Sequence, residues 1–409
     1  MVSQNVAYRQ SEVAGNFMKE LKRIRSKVDL AINGANPTFN EPIHVGRPNI
    51  GDRELFISYV NDIFDRKWLS NNGPLVEQLE ARIEGLLGVK HCVAMCNGTI
   101  ALEIAIRALD LSGEVIVPSY TFIATAHALS WQGITPVFAD IDAATHTLDP
   151  DAVRHMITPR TTGILATHLW GTPCDIAALQ EIADEHGLKL IFDAAHAFLS
   201  SYGDRMIGGF GDAEIFSFHA TKFFNTFEGG CVTTNDDDLA NTMRLMRNFG
   251  FAGLDNVVHL GTNGKLTEIC AAMGLVNLDM VDEVIDANRG NYEVYRDGLA
   301  PIDGLNVLPV DDRGRSNYQY VVLEVDQAFP ATRDTIVEAL HAENILARRY
   351  FWPGCHQMKP YRELYPHAGL VLPHTQAVAD RVIVLPTGTT LPSDALETIR
   401  AVCLALAGS

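Results

Sequence analysis

A lysine at position 222 stands in the run SFHATKFFNTFEGG (residues 217–230), between the apolar stretches EIFSFH and GCVTTN. A solvated surface lysine needs no such setting. Held in an apolar pocket, a lysine loses affinity for its proton, because burial disfavours the charged form. A neutral amine at pH 7 is a nucleophile and forms a Schiff base with a carbonyl compound. Pyridoxal phosphate is the commonest carbonyl cofactor for this chemistry, and it requires three further parts. The first is an acid facing the pyridine nitrogen. LKLIFDAAH places Asp193 at the end of an apolar run, where an unpaired carboxylate is costly. Opposite unit charges about 4 Å apart attract by roughly 4 kcal/mol at an effective dielectric of about 20, enough to keep a pyridinium protonated. The second is a cup for the phosphate. Gly98 and Thr99 follow an apolar run and open a helical stretch, so free backbone N–H groups and the helix dipole face one point. Ser217 adds a hydroxyl from a neighbouring strand end. The third is a flat surface for the ring, which Phe122 in SYTFIATA can provide. Each residue alone has an ordinary alternative as a loop lysine, a turn acid or a core ring. Their combination carries the reading.

These residues need a scaffold that brings them together. LFISYVNDIF and VEQLEARIEGLLG read as helices. HCVAM, EVIVP, TPVFADI, GILATHLWG, LKLIFDAAH, EIFSFH and GCVTTN read as short apolar strands, with helical segments between the first several. Such alternation predicts an α/β domain with a mostly parallel sheet covered by helices on both faces. Ligands bind such sheets at the carboxyl ends of the strands. Asn97-Gly98-Thr99, Ser119 to Phe122, His168, Asp193 with His196, and Ser217 to Lys222 all fall at that edge. After Asp303-Gly304 the pattern is that of a smaller α+β domain. SEVAGNFMKELKRIRSKVDLA (residues 11–31) predicts an amphipathic helix with a basic face, broken by NGANPTFNEP. The expected organisation is an extension over 1–40, a large domain over 41–280 and a small domain over 281–409.

Composition narrows the classes. The 409 residues are 47% hydrophobic and 20% charged, with a net charge of -18. That is globular composition with length for two domains. The acidic balance argues against nucleic acid, whose binders need a basic face. Seven cysteines are scattered along the chain. Cys92 and Cys96 lie in the apolar run HCVAMC, with no partner pair at zinc-finger spacing. Reduced core thiols of a cytosolic protein are the expectation, with no metal. The start of the chain shows no apolar signal core, and no apolar run is long enough to span a bilayer. A soluble, cytoplasmic protein without a membrane partner is expected.

On all these stretches together, the chain resembles the DegT-type nucleotide-sugar aminotransferases, which have the aspartate-aminotransferase fold (fold type I). The resemblance runs from about residue 41 to the end. It is carried by GRPNIGDRELF, KWLSNNGPLVEQLE, CNGTIALEIAIRAL, VPSYTFIATAHA, HLWGTPCD, FDAAHAF, SFHATKFFNTFEGG, RNFGF, LTEICAAMGLVNLD and ARRYFWPGCHQMKPY. It implies a seven-stranded type of sheet and pyridoxal 5'-phosphate as cofactor. Lys222 then bonds the cofactor and moves a proton between it and the sugar carbon, and Asp193 binds the pyridine nitrogen. Gly98, Thr99 and Ser217 hold the phosphate, with Asn248 of RNFG reaching in from a second subunit. That implies a homodimer with shared active sites. Phe122 stacks on the ring and His196 lies near the ring oxygen. His168 and Glu228 are implied to face the substrate or to stand just behind the residues that do, and Arg349, Tyr350 and His356 to lie in the segment that lines the sugar-nucleotide site. Related dehydratases carry histidine at the lysine position, so Lys222 favours transamination. SFHATK and FNTFEGG are most similar to the group that moves an amino group from L-glutamate to C4 of a dTDP-4-keto-6-deoxyhexose. The alternatives are a C3-acting or UDP- or GDP-sugar aminotransferase, a pyridoxal-phosphate-dependent sugar dehydratase, and a non-catalytic cofactor-binding regulator.

Overall fold

The computed structural model describes residues 22–311 and 314–408. Most of the helix expected over residues 11–31 lies outside the described residues. Its described end forms two short 3-10 turns, Lys27–Asp29 and Ala31–Asn33, rather than an α-helix. The Asp29 carboxylate accepts from the N–H groups of Arg25 and Ser26 at 2.9 and 3.0 Å. A side chain that takes those donors competes with a helix for them.

This first segment does not stand apart. Fully buried Glu343 accepts from Ala31 N, Thr38 N and Thr38 Oγ1, each at 2.8 Å, and from Lys22 Nζ at 2.7 Å. Strand β1 (Ile43–His44) pairs in parallel with Ile345–Leu346. Leu30 and Ile43 join the apolar core of the C-terminal unit. The start of the described chain is therefore built into the smaller unit, across the boundary expected at residue 40.

From Arg53 the chain alternates: α1 (Arg53–Arg66), α2 (Pro74–Leu87), β2 (His91–Met95), α3 (Gly98–Ala108), β3 (Glu114–Pro118), α4 (Ile123–Ser130), β4 (Thr135–Ala139), β5 (Thr161–Thr167) and β6 (Lys189–Asp193). A small hairpin, β7 (Ser201–Tyr202) and β8 (Arg205–Met206), precedes β9 (Ala213–Ser217) and β10 (Gly230–Thr234). Seven strands form one sheet in the order β2-β10-β9-β6-β5-β3-β4. All neighbours are parallel except β10, which is antiparallel to β9 and β2. Two large apolar clusters share the buried residues of these strands and their helices. Strands buried on both faces read as continuous apolar runs, which is why they were legible.

β10 is antiparallel because no crossover helix separates it from β9; the connection 218–229 holds Lys222 instead. Gly230 must be glycine there. A Cβ would lie 2.7 Å from both Gly98 N and Phe216 O. The close approach draws the start of α3 onto the end of β9.

A helix, Val281–Leu299, leads to the second unit. It contains β11 (Leu305–Val307), β12 (Val321–Val325), β13 (Ile345–Leu346) and β14 (Val382–Leu385), with β11, β12 and β14 in an antiparallel sheet. A separate apolar cluster joins Tyr120 and Trp170 of the large unit to Val322, Phe351 and Val384 of the small one. Among the described residues, no helix is long and apolar enough to cross a membrane.

Candidate active site

The carboxyl ends of β5, β6 and β9 and the starts of α3 and α4 open onto one cleft of about 600 Å³. Lys222 lies in it, and its backbone N–H closes a turn onto His219 O at 2.8 Å. The Lys222 amine meets Tyr320 Oη at 3.4 Å. Burial lowers its pKa to about 8, with Asp193 pulling the other way. At pH 7 about one such lysine in ten is unprotonated, against about one in three thousand at the ordinary value.

Asp193 ends β6 and is 5% exposed. Its Oδ2 accepts from Thr125 Oγ1 at 2.7 Å and its Oδ1 from Ala195 N at 3.1 Å. Burial raises its pKa, and the two donors offset this only in part. Among the described residues, none forms an ion pair with it. A buried carboxylate so placed is suited to a cationic partner in the cleft.

Asn97 caps α3 by accepting from Ile100 N at 2.8 Å. The first-turn N–H groups of Gly98 and Thr99 remain for a ligand, and both residues line the cleft. Ser217 packs against them: a Cβ on Gly98 would lie 3.0 Å from the Ser217 Cβ. A helix N-terminus so arranged is suited to an anion. Phe122 precedes α4, is 56% exposed and lines the cleft, with its ring edge-on to Phe351 at 6.3 Å. His196 lies between Tyr320, edge-on at 4.7 Å, and Phe351, stacked at 5.8 Å. Burial pushes its pKa well down, so the imidazole is neutral, and its Nδ1 is buried without a partner.

Glu228 and Tyr350 also line the cleft. Among the lining residues given no role from the sequence are His219 and Tyr320. His219 faces Glu228, with Nε2 and Oε1 3.5 Å apart. Its Nδ1 accepts from Thr221 N at 3.3 Å, so Nε2 carries the proton toward Glu228. Tyr320 comes from the small unit, where YQYVVLEV read simply as a strand; only folding brings it to Lys222. His219 sits three residues before the lysine and was open to local reading.

Three residues expected at the substrate or just behind it do not line the cleft. His168 is fully buried, stacked on Phe192 at 4.5 Å. Its Nδ1 accepts from Cys174 N at 3.0 Å, so Nε2–H donates to Glu214 at 3.1 Å, and both ring nitrogens are occupied. His356 is buried behind Ser119, whose Oγ lies 2.7 Å from its Nδ1. Arg349 is turned to Asp334 at 2.9 Å and over the Trp352 ring at 5.0 Å. Asn248 is likewise outside the cleft of its own chain. It follows the helix Asp237–Met246 and bridges to Asn263. Among the described residues, no group of three His, Cys, Asp or Glu side chains could hold a metal ion.

Residues 51–404 match the DegT/DnrJ/EryC1/StrS aminotransferase family. A dTDP-4-amino-4,6-dideoxy-D-glucose transaminase of Shigella dysenteriae is 38% identical over 361 residues, 88% of this chain and 97% of that protein. A GDP-perosamine synthase of Caulobacter vibrioides is 36% identical over 364 residues, covering 83% and 96% of the two chains. The solved structure of DesI in the presence of its TDP-sugar product is 49% identical, with a TM-score of 0.89 over 93% of this chain and 97% of that one. A match of this extent over a fold of the same kind settles the matter: the chain belongs to the DegT/DnrJ/EryC1/StrS aminotransferase family.

Proposed function

We propose that the protein is a pyridoxal-phosphate-dependent aminotransferase that moves the amino group of L-glutamate to C4 of a dTDP-4-keto-6-deoxyhexose. The observation that carries the cofactor is the buried Asp193 carboxylate without an ion pair, in one cleft with a lysine amine of lowered pKa. The residues present fit the group. Asp193 would hold a protonated pyridine nitrogen; Gly98, Thr99 and Ser217 would hold the phosphate. Phe122 offers its exposed face to the ring, and neutral His196 stands by for the ring oxygen. When bound, pyridoxal phosphate supplies a carbonyl that takes up and hands on the amino group, and an electron-poor ring that stabilises charge at the neighbouring carbon. Lys222 supplies the amine that bonds the carbonyl and, once released, takes a proton from one carbon and returns it to the next. Glu228 and Tyr350, which line the cleft, would meet the sugar nucleotide. Lysine rather than histidine at position 222 counts against the dehydratase reading.

The titration of Lys222 makes one expectation direct. Cofactor-free protein should capture pyridoxal 5'-phosphate at a rate that rises with pH and levels off above about 8, because only the neutral amine attacks a carbonyl. Absorbance after rapid mixing measures it. A rate still climbing steeply above about pH 9 would mean an ordinary, solvated amine.

The choice of C4 and of dTDP rests on the relatives: the Shigella enzyme is named for a 4-amino-4,6-dideoxy product on dTDP. Glutamate with the 4-keto and the isomeric 3-keto dTDP sugars should yield a 4-amino product alone, identified by NMR. Amination only at C3, or only of a UDP or GDP sugar, would refute the substrate and leave the aminotransferase standing.

We assign a homodimer with shared sites. The segment 248–263 is closed by bridges between Asn248 and Asn263 and between Phe251 and Val257. Phe249, Leu254, Val257 and Leu260 within it are all exposed, apolar surface of the kind a second copy covers. Inactive Lys222→Ala chains mixed with weakly active Asn248→Ala chains should form hybrids with one intact site, and activity should rise. No rise despite proven subunit exchange contradicts shared sites.

A further inference from the structure

Tyr320 precedes β12 in the small unit, yet its hydroxyl lies 3.4 Å from Lys222 Nζ. The ammonium position also sits 5.9 Å from the centre of the Tyr320 ring. Among the described residues, this hydroxyl is the one hydrogen-bonding side-chain partner of the amine.

The segment around it is pinned on both sides of the cleft. Asn317 Nδ2 donates to His196 O at 2.8 Å and to Phe198 O at 3.0 Å, and its Oδ1 accepts from Gln319 N at 2.9 Å. Gln319 Oε1 accepts from Phe223 N at 3.3 Å, the residue next to Lys222. The Tyr320 ring meets His196 edge-on at 4.7 Å and Trp170 at 5.5 Å. β12 pairs with β14 only from Val321 onward, so the strand itself does not call for these bonds. Their effect is to place the Tyr320 hydroxyl at the amine.

An amine on a flexible four-carbon stem must be held each time it is released from a covalent bond. A neutral amine offers a lone pair, and an ammonium offers three donors. A phenol serves both, donating to the first and accepting from the second. We propose that Tyr320 is a positioning residue for the proton-carrying Lys222 amine, keeping Nζ in the cleft through both half-reactions. Nζ takes the proton from one carbon and returns it to the next; Tyr320 neither gains nor loses one. Burial raises the Tyr320 phenol above its ordinary pKa, in keeping with a group that stays neutral. The proposal rests on Lys222 as the proton carrier of an aminotransferase.

Tyr320→Phe removes the hydroxyl and keeps the ring contacts, so the variant should fold. With the holoenzyme and glutamate alone in D2O, NMR follows exchange of the glutamate α-proton. Exchange should slow about tenfold, while the half-saturating glutamate concentration changes by less than about twofold. The isotope effect with α-deuterated glutamate should increase. In the cofactor-free protein, competitive acetylation read by mass spectrometry gives the Lys222 titration midpoint. It should fall in Tyr320→Phe, because the ammonium loses a charge-assisted hydrogen bond. Wild-type exchange and an unmoved midpoint in Tyr320→Phe overturn the proposal and leave the reading of Lys222 intact. Wild-type exchange in a Lys222→Ala control overturns that reading, and the proposal with it.

Discussion

Lys222→Ala should abolish turnover, by about ten-thousandfold or more, since it removes both the covalent anchor and the proton carrier of the proposed reaction. The protein should still fold. The side chain points into a cleft and contributes one 3.4 Å hydrogen bond, to Tyr320. Its melting temperature should stay within a few degrees of the wild type, as for a change of about 1 kcal/mol or less in a chain this long. The proposed phosphate site at Gly98 and Thr99 is untouched, so the cofactor should still bind without a covalent bond. Borohydride reduction of the wild-type holoenzyme, then peptide mapping, should place the pyridoxyl group on Lys222. A label on any other lysine would sink the assignment.

Asp193→Asn has the second largest expected effect. The amide is nearly the size of the carboxylate, and its bonds can be remade: Thr125 Oγ1 also lies 3.0 Å from Phe122 O, so its proton can turn there and its oxygen accept from the amide. What is lost is the charge that, on the proposed reading, would face the pyridine nitrogen. A term of roughly 4 kcal/mol corresponds to about a thousandfold in rate. A drop of less than about tenfold would show that Asp193 does not face the ring. Stability has the opposite sign in the cofactor-free protein. Burial raises the Asp193 pKa above its unfolded value. Its contribution is therefore fully present at low pH and is lost as pH rises through the folded pKa. At neutral pH the cofactor-free Asp193→Asn variant should melt at or slightly above the wild type, and the stabilisation given by the cofactor should shrink. Calorimetry with and without pyridoxal 5'-phosphate checks both.

Much of this was legible because it is local. Continuous apolar runs such as EVIVP and LKLIF mark strands buried on both faces, and a run of them with helices between allows few arrangements other than a parallel sheet. Topology then sends the carboxyl ends of the six parallel strands to one edge, so Asp193, Ser217, Gly98 and Phe122 meet there without further information. Lys222 stood out because its apolar neighbours contradict an exposed loop.

The tertiary structure decided which polar side chains reach the cleft. His168 follows β5 at the right edge, yet the donors of Cys174 N and the acceptor Glu214 turn it into a sealed bond between strands. His356 and Arg349 lie near Tyr350 in sequence, yet Ser119 and Asp334 claim them. Tyr320 shows the converse, a residue from the smaller unit delivered to the lysine by Asn317 and Gln319. Glu343 likewise gathers Lys22, Ala31 and Thr38 from the far end of the chain. Hydrophobic periodicity reports which face of an element is buried, within a few residues. The partner of a polar group is chosen by whatever packing brings within about 3 Å, and for these residues that partner lies in another element of the fold.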